Sequence, residues 1–173
     1  MIARGRIAVA GLVLGMAGSS EGAEAAPLDR FTGSFSATGM VVEGPKATSH
    51  RVTCNFSATR QGSRAILLRG TCRAYLIISR TITASLVLAP NGNRVTGSYT
   101  GARVGTARLS GRMRGNAIDV AITWPKPLYG DTRADMRIVS PTPDQMRIVV
   151  TDRIGASGPV RTTTDLTLSR RRS

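Results

Sequence analysis

The sequence predicts an all-β protein: an antiparallel up-and-down meander of eight to ten strands that forms a closed or nearly closed barrel with one disulfide. Three observations predict this fold. Apolar and small residues alternate with polar ones from Phe31 onward, turn residues recur about every 10 to 15 positions, and little of the chain has helical periodicity. Closure into a barrel would also hide the edge strands.

The N-terminal segment, residues 1–25, has the features of a secretory signal peptide. Arg4 and Arg6 precede a short apolar run, and "AEA", which ends at Ala25, fits a small-x-small cleavage site. The run is too short to span a bilayer. We therefore expect cleavage near Ala25, and residues 26–173 as a single β-barrel domain in the periplasm or secreted.

The chain is strongly basic, with a formal net charge of +14 that removal of the first 25 residues leaves unchanged. Its only lysines are Lys46 and Lys126, and all its other basic residues are arginine. The planar guanidinium of arginine suits phosphate and carboxylate groups, so the charge indicates a polyanion as partner. A GC-rich genome would produce the same composition without a functional role. Export makes nucleic acid the least expected partner.

Two hairpins have turn sequences that set their strand register. Turns at Asn91-Gly92 and Gly115-Asn116 are strong hairpin signals. They place apolar and small residues opposite each other: Leu88–Val95, Leu86–Gly97, Met113–Ile118, Gly111–Val120 and Leu109–Ile122. The second register also sets Arg112 against Asp119, a favourable cross-strand pair.

Residues 74–89 carry no turn residue. We interpret them as one long bent strand, or as a strand with a bulge near Ser79-Arg80. A short helix is disfavoured by the Ile and Thr content of the segment.

The sequence "MRIV" occurs twice near the C-terminus. A loop around Pro141–Pro143 would fold the two copies together and set Arg137 directly opposite Arg147. Like charges in such positions repel each other, and a bound anion would relieve the repulsion. The alternative is two splayed, solvated guanidiniums.

Cys54 and Cys72 are equidistant from Ser63 in the loop "GSR". A hairpin centred there makes the two cysteines cross-strand neighbours within disulfide range. In the oxidising environment that an exported protein reaches, such a pair forms a disulfide. A zinc site needs four ligands, and His50, the only histidine, leaves the set one short. A redox site needs closely spaced cysteines near a helix start. We therefore predict a structural disulfide.

The stretch "WPKPLYGD", residues 124–131, contains the only tryptophan. We interpret it as a proline-stiffened loop in which Trp124, Lys126 and Tyr129 contact a ligand or partner. The alternative is that Trp124 ends a strand and plugs one barrel mouth.

No sequence motif for catalysis is present. The only imidazole, His50, is expected to be solvated. Nearly all the acidic residues fall near turns or opposite arginines, and none form the paired inward carboxylates of a glycosidase. The chain has no P-loop, dinucleotide-binding or metal motif. We therefore expect no enzymatic activity, no cofactor and no metal.

The strand "FTGSF", followed by a small disulfide-bonded meander, resembles the first strand of lipocalin-like barrels, with Phe35 where that family has the Trp of its Gly-x-Trp motif. Size, signal peptide and single disulfide are similar to small bacterial barrel inhibitors of secreted proteases. Gly-rich strands and turns such as Leu109-Ser110-Gly111 resemble exported barrel proteins of alphaproteobacteria. These likenesses imply a barrel fold, and no functional residue transfers from any of them.

We expect a non-catalytic exported barrel that binds an anionic envelope component such as lipopolysaccharide or an acidic polysaccharide. A second interpretation is a lipocalin-like carrier of a small apolar ligand. Five inner-face glycines would leave room for it, or would simply permit curvature of the strands: Gly33, Gly39, Gly70, Gly97 and Gly111. A third is a protease inhibitor or accessory subunit that acts through residues 124–131. Binding that weakens steeply with ionic strength would distinguish the first interpretation from the other two. An integral outer-membrane barrel is disfavoured, because the outer faces carry Arg, Thr and Ser.

Overall fold

A computed structural model describes residues 28–43, 47–75, 78–90 and 92–172. Within these ranges the chain forms ten antiparallel strands that close into a barrel. The predicted all-β meander, its closure and its disulfide are therefore confirmed. The predicted signal peptide lies outside the described residues. No helix in the described ranges is long and apolar enough to cross a membrane.

The elements follow one another around the barrel in chain order. A short 3-10 helix, Asp29–Phe31, precedes β1. The strands are β1 Gly33–Glu43, β2 Thr48–Arg60, β3 Ala65–Ala74, β4 Ile78–Leu88, β5 Arg94–Thr100, β6 Ala107–Arg114, β7 Ala117–Leu128, β8 Asp131–Thr142, β9 Gln145–Arg153 and β10 Val160–Arg170. Each strand pairs with the next, and β1 pairs with β10 to close the sheet.

Three predicted hairpin registers are confirmed. The β4–β5 pair sets Leu88 opposite Val95, and the β6–β7 pair sets Arg112 opposite Asp119. Cys54 of β2 lies opposite Cys72 of β3, and their sulfur atoms are bonded. Asn91 of the predicted β4–β5 turn lies outside the described residues. In each hairpin a slip by one residue would turn every side chain to the other face.

Residues 74–89 do not form one long strand, so that interpretation is wrong. β3 ends at Ala74 and β4 begins at Ile78, and these two residues pair directly. Tyr75 has a φ of 54°, the left-handed conformation that the chain needs to reverse here. Gly and Asn are the residues that usually mark such a position, so a tyrosine here is not recognisable as a turn signal.

The predicted register of the "MRIV" hairpin is also wrong. In β8 and β9, Arg137 lies opposite Val149 and Arg147 lies opposite Val139. The pairing is shifted by two residues from the expected one, with an irregularity between Val139 and Thr142. The two arginines are therefore diagonal neighbours and are not directly opposed.

One end of the barrel is filled by apolar side chains. The 3-10 helix places Leu28 and Phe31, which are 2% and 1% exposed, against the core. Phe35 packs beside them, and the guanidinium carbon of Arg170 lies 4.9 Å from its ring centroid. Arg170 also donates to the carbonyl oxygens of Thr32 and Pro143. This closed end leaves the opposite end of the barrel as the place where a site can open.

Candidate functional site

The barrel encloses a cavity of about 700 Å³. Its wall is mostly apolar and is formed by inward-facing residues of many strands, among them Val52, Leu68, Ile82, Ile122, Met136 and Leu166. The interior of a barrel widens as strands are added, and eight strands suffice to hold one small ligand. With ten strands, the side chains of the wall do not fill the half of the interior that lies farther from the 3-10 helix. Its volume lies within the range of about 300–1,000 Å³ typical of small-molecule sites.

The cavity opens at the end opposite the 3-10 helix. Residues from strand ends and loops at that end line it: Glu43, Thr48, Ile78, Arg103 and Tyr129. Thr48 and Arg103 are exposed, so the cavity reaches solvent there. We call this end the mouth.

The inner-face glycines do not create the cavity, contrary to the second interpretation of the sequence. A Cβ at Gly39, Gly97 or Gly111 would lie 1.9–2.0 Å from a backbone carbonyl oxygen of the neighbouring strand. At Gly70 it would lie 2.2 Å from the ring of Phe56. These glycines therefore permit close approach of the chain to itself, and the free volume lies elsewhere.

A buried acid lies in the cavity wall near the mouth. Asp152 is 2% exposed. The indole Nε1 of Trp124 donates to its Oδ1 at 3.3 Å, and the hydroxyl of Thr163 donates to its Oδ2. Burial raises the pKa of Asp152, the two hydrogen bonds oppose that rise, and the charges of nearby aspartates add to it. Asp152 faces inward among apolar residues, and the register of β9 and β10 sets it opposite Arg161.

Tyr99 and Trp124 form an aromatic section of the same wall. Their rings meet edge to face, with centroids 5.8 Å apart. Burial raises the pKa of Tyr99 to about 12, the charge of Arg80 lowers it and that of Asp152 raises it. The Tyr99 hydroxyl is therefore a neutral donor and acceptor at any physiological pH.

Arg80 brings a positive charge to the cavity from β4. Its Nη2 lies 2.8 Å from Oε1 of Glu43, and both residues line the cavity. Its Nε is buried and has no hydrogen-bond partner among the described residues. A buried donor of a charged group is costly to leave unpaired, so this atom marks an incomplete interaction in the wall.

Two further polar contacts lie at the mouth. The hydroxyl of Tyr129 donates to the carbonyl oxygen of Val42 at 2.6 Å, which ties the β7–β8 turn to β1. Burial raises the pKa of Tyr129 to about 12. His50 lies 3.3 Å from the Tyr75 hydroxyl through Nδ1, so it has a partner at the mouth as well.

The structure brings together only some of the residues that the sequence predicted as ligand-binding. Trp124 and Tyr129 both line the cavity, whereas Lys126 is exposed and does not. Most of the expected loop is strand, because β7 runs to Leu128 and β8 begins at Asp131.

Arg137 and Arg147 lie on the outer face, away from the cavity, and each meets an acid. Arg137 Nη1 lies 2.7 Å from Asp119 Oδ1. Arg147 binds Asp165 through Nε and Nη2, at 2.8 Å and 2.7 Å. Both guanidiniums are therefore engaged in cross-strand ion pairs within the barrel wall.

Sequence reasoning missed Arg80, Tyr99 and Asp152, although a signal was present. Side chains two apart on a strand share a face, so each of these residues is in phase with apolar neighbours that face the core. Arg80 follows the parity of Leu86, and Asp152 follows that of Ile148. A charged residue in phase with an apolar face is the pattern that marks a polar group in a barrel interior.

Comparison with known proteins supports the fold. No protein-family model matches the chain, and no curated protein matches it in sequence. Among solved structures, the chain is similar to Rv2717c from M. tuberculosis, with a TM-score of 0.65 and 16% identity over 84% of this chain and 95% of that one. It is also similar to the S-type phycobiliprotein lyase CPES from Guillardia theta, with a TM-score of 0.58 and 14% identity over 84% of this chain and 91% of that one. Both fit the weakly lipocalin-like barrel that the sequence predicts.

Proposed function

We propose that this protein is a carrier that binds one small, largely apolar molecule inside the barrel. The observation that carries the proposal is the cavity of about 700 Å³, apolar along its wall and open at the mouth. Burial of an apolar ligand there would release water from both surfaces. Polar groups at one end of an apolar pocket are typical of sites that orient such a ligand.

The likeness to a phycobiliprotein lyase supports the barrel fold on which the proposal depends. At 14% identity it speaks for the fold alone. The proposal depends on the size and the apolar lining of this chain's own cavity. An enzymatic role for the buried carboxyl of Asp152 is not needed to explain its contacts, because Trp124 and Thr163 already hold both of its oxygens.

A saturable binding assay tests the proposal. N-phenyl-1-naphthylamine, a neutral apolar dye that fluoresces when it leaves water, is titrated into the purified protein. We expect saturation at one dye per chain. Ala84→Phe, which adds a ring at a buried position of the cavity wall, should reduce the affinity. Ala121→Phe adds the same ring on the exposed outer face of β7 and should leave binding unchanged. Equal binding by both variants would contradict the proposal.

Binding of an anionic envelope component, and export itself, stay predictions. The net charge of +14 supports the first, although the residues that singled out an anion site, Arg137 and Arg147, are paired with aspartates. The disulfide is compatible with an exported protein. Native mass spectrometry of protein purified from its own host would test cleavage near Ala25 and any retained small molecule in one measurement.

A further inference from the structure

Arg80 of β4 lines the cavity. One of the N–H donors of its guanidinium, on Nε, has no hydrogen-bond partner among the described residues. Its position on β4 lies in phase with Ile82 and Ala84, which form part of the apolar wall. Of its five N–H groups, those on Nη2 reach Glu43. Nε is buried and has no partner among the described residues.

Glu43 satisfies only part of this guanidinium. A carboxylate that engages arginine fully does so through two parallel hydrogen bonds, as Asp165 does with Arg147 on the outer face. At Arg80 the described contact is a single one, from Nη2 to Oε1. Nε itself is enclosed, so a second oxygen-bearing group in the cavity would meet Arg80, which lines the cavity, at its terminal nitrogens.

A second donor, the hydroxyl of Tyr99, lines the same cavity as Arg80. Tyr99 lines the cavity, and the positive charge of Arg80 acts on its hydroxyl. Gly101 lies beside that hydroxyl, at a position where a Cβ would approach it to 2.6 Å. A guanidinium and a neutral tyrosine hydroxyl both donate hydrogen bonds, so together they select an acceptor rather than a cation.

The two acidic residues of the wall, Asp152 and Glu43, already have partners and so do not favour a cationic ligand. Asp152 already accepts from Trp124 and Thr163, and Glu43 is already paired with Arg80. A cationic ligand would therefore have to break an existing contact, whereas an anionic one would meet the Arg80 guanidinium, which has a single described contact to Glu43. Arg103, exposed at the mouth, adds a further positive charge on the path inward.

We propose that the ligand carries a carboxylate at one end of its apolar body, and that Arg80 binds this group with Tyr99 as the second donor. This inference rests on the proposed carrier function and names its ligand class, an amphipathic carboxylic acid. The apolar part of such a molecule would occupy the cavity between the mouth and the closed end. Arg80 is the residue that would distinguish the acid from the corresponding alcohol.

The test is displacement of N-phenyl-1-naphthylamine by decanoic acid and by decan-1-ol at neutral pH. In the wild-type protein we expect the acid to compete about tenfold or more better than the alcohol, since a hydrogen bond to a charged group is at stake. The double variant Arg80→Met/Glu43→Gln removes both charges and leaves no lone carboxylate. It should still bind the dye and should treat acid and alcohol alike.

Two further variants make the test specific. Arg69→Met removes an exposed arginine from the outer face of β3 and should preserve the preference for the acid. Glu43→Gln removes the carboxylate that is paired with Arg80. It should raise the affinity for decanoic acid and leave the affinity for decan-1-ol unchanged. If no protein binds the dye, the carrier function fails and this inference with it. If the dye binds but the preference is absent, or survives the loss of Arg80, the inference alone is overturned.

Discussion

The ring of Phe56 lies over Gly70 where β2 and β3 pair, so closely that a Cβ at Gly70 would be 2.2 Å from Phe56 Cδ1. Phe56 is 2% exposed and also lines the cavity, so a side chain at Gly70 would force its ring to rotate towards that cavity. The hydrogen of Gly70 is therefore part of the packing of this wall.

Replacement of Gly70 by alanine should destabilise the protein. The added methyl group forces the ring of Phe56 or the backbone of β3 to shift, and overpacking of this kind costs about 1–3 kcal/mol. Chemical denaturation measures the change. Gly92→Ala is the matched control, because a Cβ there meets nothing within 4 Å, and it should leave stability nearly unchanged. A Gly70→Ala protein as stable as the control would contradict the packing described.

Loss of the disulfide should lower stability as well. Cys54 and Cys72 are 18 residues apart in sequence, and a cross-link of that span contributes about 3 kcal/mol in the chain-entropy model. The double variant Cys54→Ala/Cys72→Ala should therefore unfold at lower urea than the oxidised wild type. Wild-type protein in a reducing agent should follow the variant. An unchanged midpoint in both would show that the cross-link does not constrain the unfolded chain.

Arg170 should stabilise the closed end of the barrel. It donates to the carbonyl oxygens of Thr32 and Pro143 at 2.7 Å and 2.9 Å and lies over Phe35. Arg170→Ala should cost about 2 kcal/mol, because hydrogen bonds from a charged group are lost along with the packing of its stem. Arg172→Ala removes an exposed arginine nearby and serves as the control. Equal effects in thermal or urea unfolding would contradict a structural role.

Asp152 should make the protein less stable as the pH rises. Burial raises its folded-state pKa above the ordinary value of 3.8, so between these two values the folded state binds more protons than the unfolded state. Stability therefore falls as pH increases through this window. Asp152→Asn can keep both hydrogen bonds and cannot ionise. Relative to wild type, this variant should gain stability as the pH is raised from below 3.8 to neutral.

Asp165 should show the opposite sign. The hydrogen bonds from Arg147 hold its pKa below 3.8, so its stabilising effect is present above that value and is lost as the pH falls through the lowered pKa. Asp165→Asn should therefore lose stability relative to wild type at neutral pH and match it in strong acid. The effect should be small because the pair is exposed. Parallel pH series of urea midpoints for the Asp152 and Asp165 variants would reveal slopes of the same sign if either assignment were wrong.

Much of this protein is determined by its sequence alone. Alternation with a period of two assigns each residue to the inner or outer face, and it does so for Arg80 and Asp152 as well as for the apolar core. Local turn chemistry sets the register of the hairpin that pairs Arg112 with Asp119. The symmetric placement of the cysteines about the "GSR" loop predicts their bond. Each of these depends on neighbours within one hairpin.

Only the tertiary structure decided which charges meet and where space is left. A shift of two residues keeps every side chain on its face, so alternation cannot distinguish Arg137 opposite Arg147 from the observed pairing with Val149. The neighbouring strands β7 and β10, which supply Asp119 and Asp165, complete the arrangement. The cavity likewise belongs to no single strand. It exists because ten strands close around an interior that their side chains fill at only one end, and that volume depends on the whole circumference of the barrel.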